Sequence, residues 1–199
     1  MYIRKRDAVK FYYYLIAADG EVRQSELEKF EEIGKETDTS FMDYKEEVIK
    51  ECNRQIEKVI DEDEYFEVIK EGIDETLGEE EDFYRKYSSY DRIEASLILW
   101  NLLSIAVSDK EYAPEEQKLI RYMVRKMGIE KDIYLEMENA IKTIQDIDHT
   151  ITLLSNRDKG FVIKGNHLEI YSSEIGKIVK EFTERRDVIF NSMKEMIAD

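Results

Sequence analysis

With 199 residues, 42% of them hydrophobic and 38% charged, the chain is long enough to bury a sizeable core and too apolar to stay disordered. Its net charge of −16, most concentrated in residues 61–94, repels phosphate backbones, so it excludes constitutive nucleic-acid binding and suits cations or basic proteins. A single cysteine, Cys52, and only two histidines exclude an internal disulfide and a thiolate–imidazole zinc site, and they fit a reduced, cytoplasmic setting.

One proline and eight glycines leave long unbroken stretches, which favours helices over a many-stranded sheet. Arg4–Arg6 followed by Phe11–Ala18 faintly imitates a secretory signal. The apolar run is too short and too rich in tyrosine, so an amphipathic first helix over Arg4–Ala18 is the better reading, with Phe11, Tyr12, Leu15 and Ile16 on one stripe. No run approaches the ~18 apolar residues of a membrane span. A second helix is predicted over Gln24–Thr37, burying Leu27, Phe30 and Ile33. A third covers Asp43–Ile60, with Val48, Cys52, Ile56 and Ile60 inward, and a fourth runs over Glu62–Leu77 until Gly78 caps it.

Glu79–Asp82 opens a loop, and Asp91 with Glu94 reads as the capping pair of a fifth helix that ends near Ser108. That helix carries Ile98, Trp100, Leu102, Leu103 and Ile105, is apolar on more than one face, and belongs at the centre of the core. Pro114 is a natural first residue of a sixth helix that ends at Met127, before Gly128. A seventh spans Lys131–Ile147. Phe161–Lys164 and His167–Ile170 around Gly165-Asn166 then read as a β-hairpin, and a last helix covers Ser173–Ile197. The expected architecture is all-α. A duplicated helix–turn–helix bundle of about seven helices fills residues 1–148, and a β-hairpin with a terminal helix, residues 149–199, packs on it.

The chain aligns on itself at an offset of 90. Asp19-Gly20-Glu21 falls on Asp109-Lys110-Glu111, and Glu26 falls on Glu116. Asp19-Gly20 with Val22 and Glu26 imitates half of a calcium-binding EF-hand loop. Its first ligand positions, however, would be Leu15 and Ala17, or Ile105 and Val107, which offer no oxygen side chains. These are not EF-hands. As structural parts, Gly20 ends a helix in the left-handed conformation, Val22 or Tyr112 plugs the turn into the core, and Glu26 and Glu116 sit three residues into a helix, where a carboxylate reaches back to cap it. Asp19 and Asp109 lie at helix C-termini and oppose the helix dipole, so they require an offsetting partner.

Ala17-Ala18-Asp19-Gly20-Glu21-Val22 with Glu26, the copy from Asp109 to Glu116 and the trailing Met127-Gly128-Ile129 resemble the TerB-like family, named for bacterial tellurite resistance. The resemblance covers about residues 1–145. It implies an all-helical domain in two halves and a metal site at Asp19, Glu26, Asp109 and Glu116. Lys110 stands where the family has its second glycine and sets a positive charge beside Asp109.

There is no glycine-rich phosphate loop, HExxH or CxxC motif, and neither His149 nor His167 has a nucleophile nearby in sequence, so the chain reads as a binding module and not an enzyme. Two functions fit. The acidic turns hold a divalent cation, calcium or magnesium because every ligand is an oxygen, in a bacterial stress response. Alternatively the chain is a protein–protein adaptor that uses residues 61–94 or the hairpin, with the turns only capping helices. A homodimer is compatible with either.

Overall fold

A computed structural model describes residues 1–60, 64–84, 92–108, 112–158 and 167–198. In chain order the elements are β1 (Tyr2–Arg4), α1 (Lys5–Ile16), α2 (Gln24–Thr37), α3 (Phe41–Ile56), α4 (Tyr65–Tyr84), β2 (Arg92–Glu94), α5 (Ala95–Ala106), α6 (Pro114–Lys126), α7 (Lys131–Asp158) and α8 (His167–Ala198). The expected all-α bundle with a C-terminal appendage is what is found; among the described residues the strands are β1 and β2, which form a two-stranded antiparallel ladder within the bundle. Two compact units divide the chain, Met1–Tyr134 and Leu135–Asp199.

In the first unit α1 is the hub, packing against α2, α3, α4 and α5. Its neighbours enclose it so fully that Phe11, Tyr12 and Leu15 have no exposed surface. Helix α5 lies against α1, α2 and α6, and Ile98, Leu99, Leu102, Leu103 and Ile105 are equally enclosed, as its apolar sequence requires. Tyr13, Phe30, Phe41 and Tyr44 form a chain of edge-to-face rings with centroids 5.7, 5.5 and 6.1 Å apart. Helix α4 approaches α1 closely because Gly72 has no side chain; a Cβ there would lie 2.5 Å from the Tyr14 hydroxyl oxygen.

The duplication extends well beyond the acidic turns. Lys5 and Ala95, Gln24 and Pro114, and Phe41 and Lys131 are equivalent helix starts, each pair 90 residues apart. Strands β1 and β2 obey the same offset and pair with each other, Ile3 facing Ile93. In this antiparallel ladder Ile3 faces its own equivalent and the flanking pairs, Tyr2–Glu94 and Arg4–Arg92, exchange places about it, so a local two-fold axis passes through the Ile3–Ile93 pair. The Tyr12 hydroxyl, near the middle of α1, accepts a buried hydrogen bond from Asn101 Nδ2 of α5 at 2.9 Å and stitches the two copies together.

Several elements differ from the sequence expectations. The segments flanking the first and fifth helices, Tyr2–Arg4 and Arg92–Glu94, are strands, because each finds its partner 90 residues away, beyond the reach of local periodicity. Glu94 is therefore the extended residue immediately before α5 and not the third residue inside it, and Asp91 lies outside the described residues. Helix α3 ends at Ile56, and Ile60 is 94% exposed, not inward. Helix α4 runs through Gly78, where a helical glycine costs about 1 kcal/mol without forcing an end. Val22 does not plug the core, being 45% exposed.

In the second unit, α7 continues eleven residues past Ile147. Thr143, Thr150 and Thr152 turn their hydroxyls back onto the carbonyls of Asn139, Asp146 and Asp148 at 2.8–2.9 Å, which accommodates them inside a helix. The second strand of the expected hairpin, His167–Ile170, is the start of α8. A lone two-stranded hairpin is marginal in water, whereas joining a 32-residue helix needs no new nucleus. The first strand and its turn, residues 161–166, lie outside the described residues. Arg186 Nη1 on α8 joins Asp148 on α7 at 3.0 Å.

Candidate functional site

Helix α1 ends because its last amides tighten. Ala17 N–H reaches the Tyr13 carbonyl at 3.2 Å, Ala18 N–H reaches Leu15 at 3.0 Å, and Gly20, at φ +86°, supplies the left-handed residue anticipated for it. Asp19 sits between these turns and the start of α2. One of its carboxylate oxygens accepts the Glu21 N–H at 2.9 Å, and the other pairs with the Arg23 guanidinium at 3.0 Å. Arg23 thus offsets the acid at the helix C-terminus and in the same stroke begins the next helix. Glu26, 1% exposed, accepts the Arg23 backbone N–H at 3.0 Å through Oε2. This is the reach-back half of a capping box.

The second copy repeats the helix end and the reach-back cap. Val107 and Ser108 N–H groups reach Leu103 and Ile105 at 3.3 and 2.9 Å, as Ala17 and Ala18 do in the first. Pro114 is the first helical residue of α6, and Glu116, 2% exposed, accepts the Ala113 N–H at 2.9 Å. Residues 109–111, with Asp109, Lys110 and Glu111, lie outside the described residues. Gln117 adds a bond that the first copy lacks the residue to make, donating to the Tyr112 carbonyl at 2.9 Å.

The two copies approach each other around the start of α4. Tyr65 is pushed up from its ordinary pKa by burial and secondarily by the Asp19 carboxylate, so Asp19 acts on this phenol. The next residue, Phe66, carries the Lys118 ammonium of α6 over its ring at 3.7 Å from the centroid. Tyr122 of α6 packs edge-on to Phe66 and donates its hydroxyl to Asp74 of α4, while Lys126 pairs with Asp74 at 2.9 Å. No group of three or more His, Cys, Asp or Glu side chains disposed to hold a metal ion occurs among the described residues.

Sequence reasoning identified the two capping glutamates and Gly20. It missed Arg23 as the partner of Asp19, although a cation four residues after an acid was the available signal. It also missed the cation–ring contacts between α4 and α6, which join residues far apart in the chain.

A hub helix, its repeat across a local two-fold, and a pair of turns closed by capping glutamates define a duplicated helical module. The family described as Tellurite resistance protein TerB matches residues 7–138, well over half of the chain, and the chain belongs to that family. Neither the curated proteins nor the solved structures contain a match.

Proposed function

We propose that this chain is a non-catalytic TerB-type module that binds a protein partner in a bacterial stress response, and that its acidic turns serve chiefly to fix helix starts. The observation that carries this reading is the engagement of three of the four candidate ligands. Glu26 and Glu116 are buried and accept the N–H groups at their own helix starts, and Asp19 is held by Glu21 and Arg23. The exposed acids of α4, Glu67, Glu71 and Glu75, offer a basic partner its landing surface. A cytoplasmic setting accords with Cys52, whose thiol burial pushes up to about 12 and leaves unreactive.

A second reading, a calcium or magnesium ion held by Asp19, Glu26, Asp109 and Glu116, is favoured by the recurrence of the same acids at a 90-residue offset. Thermal melting in calcium, in magnesium and in chelator separates the two. On the capping reading the three curves coincide, and Asp19→Asn lowers each by the same small amount. A cation at 100 times its dissociation constant would instead stabilise the fold by about 2.7 kcal/mol, and Asp19→Asn would abolish that gain.

A further inference from the structure

Helices α7 and α8 leave between them an open groove of about 560 Å³, with Ile147, Phe182, Val188 and Ile189 among its walls and Glu181 and Arg185 at its edge. On α8, beside the side that meets α7, a second stripe runs through Ile178, Glu181, Arg185 and Val188. All four are exposed, Ile178 by 42% and Val188 by 64%. Their spacing of three, four and three residues puts them on one helical face, in line with the groove. A helical unit of this length ordinarily buries such a face.

The order of the stripe says what covers it. Read forward it is apolar, acid, base, apolar; read backward it is apolar, base, acid, apolar. An antiparallel copy of α8, centred at the level of Thr183, sets Ile178 opposite Val188 and Glu181 opposite Arg185, twice over. An isologous interface requires that self-complementarity, since every residue meets its counterpart through the two-fold axis. The neighbouring cation Arg186 is already engaged by Asp148 and Asp187 and does not oppose this register.

We infer that the chain forms a homodimer through α8, in which Ile178 of each copy enters the α7–α8 groove of the other and the Glu181–Arg185 pairs fix the register. The surface lies outside the segment matched to the TerB family and does not depend on the function proposed above.

Sedimentation equilibrium on the full chain tests it, with circular dichroism to confirm that each variant is folded. The unaltered chain should be a dimer at micromolar concentration. Arg185→Glu sets acid against acid across the axis, and Glu181→Arg sets base against base; each should raise the dimer dissociation constant about tenfold or more. Combining the two substitutions reverses both charges and should restore the dimer. A monomeric unaltered chain overturns the inference. So does a dimer indifferent to either single change, or a combined variant that fails to recover, because the first removes the interface and the others remove this register.

Discussion

The two copies of the repeat begin alike and finish differently, and the difference lies in what their third helices meet. Helix α3 stops at Ile56, where Lys58 and Val59 N–H groups close tight turns onto Gln55 and Ile56. Gln55, 5% exposed, donates to the Val68 carbonyl of α4 at 3.2 Å and fastens that end to the next helix. Its counterpart in α7, Gln145, makes no such bond among the described residues, and α7 runs on to Asp158. The consequence appears in burial. The first unit encloses most of its apolar side chains, whereas among the described residues of Leu135–Asp199 only Met137, Ile141 and Ile197 are buried large hydrophobics. A duplicated sequence repeats its local instructions, but a helix ends where a neighbour gives it reason to.

The contrast predicts unequal sensitivity to truncation. Leu102→Ala, in a side chain with no exposed surface, should leave a cavity and cost about 2–5 kcal/mol in denaturant melts. Leu153→Ala, at a residue 53% exposed, should stay within about 0.5 kcal/mol. Similar losses from the two would mean that the long helices are as tightly enclosed as the hub.

Within the first unit the two copies should respond alike. Glu26→Ala and Glu116→Ala each remove the acceptor for a helix-start N–H, and each should cost about 1–2 kcal/mol. Losses that differ by more than about 1 kcal/mol would show that one glutamate has a further duty. The smallest effect concerns acid and sharpens the asymmetry, because Asp38, between α2 and α3, belongs to the first copy alone. Burial pushes its carboxyl up, but the Ser40 amide and hydroxyl and the Tyr44 hydroxyl outweigh burial and hold it below the ordinary range. A lowered carboxyl contributes stability above its unfolded pKa and loses it as pH falls through the folded value. Asp38→Asn should therefore flatten the acid limb of stability below about pH 4 and leave its shape near neutrality unchanged.

Much of this fold was legible in the sequence, for identifiable reasons. Helix periodicity located each helix among the described residues, and Gly20, Pro114 and Gly128 marked ends because their backbone preferences act locally; Gly128 indeed takes φ +67°. Glu26 and Glu116 were readable as caps because the contact spans three residues. Signals that span the chain were not readable one segment at a time. The Ile3–Ile93 pair and the Tyr12–Asn101 bond each join residues about 90 positions apart, although the repeat offset that aligned the acidic turns would have found the first. The second strand of the hairpin, His167–Ile170, was misread because so short an alternation of apolar residues also suits a helix once a longer helical segment stands next to it.

The strand pair governs how the molecule is assembled in time. Among the described residues the ladder partner of Tyr2–Arg4 is Arg92–Glu94, made 90 residues later. At about 5–20 residues per second of synthesis, α1 waits several seconds between its own appearance and the arrival of β2 and α5. Through that interval α1 has α2, α3 and α4 to lean on, but the side that α5 will cover stays uncovered. Closing the Ile3–Ile93 ladder is a late, long-range event of the kind that slows folding. It makes the joining of the two copies, not the formation of either, the step at which a nascent chain is open to the wrong partner.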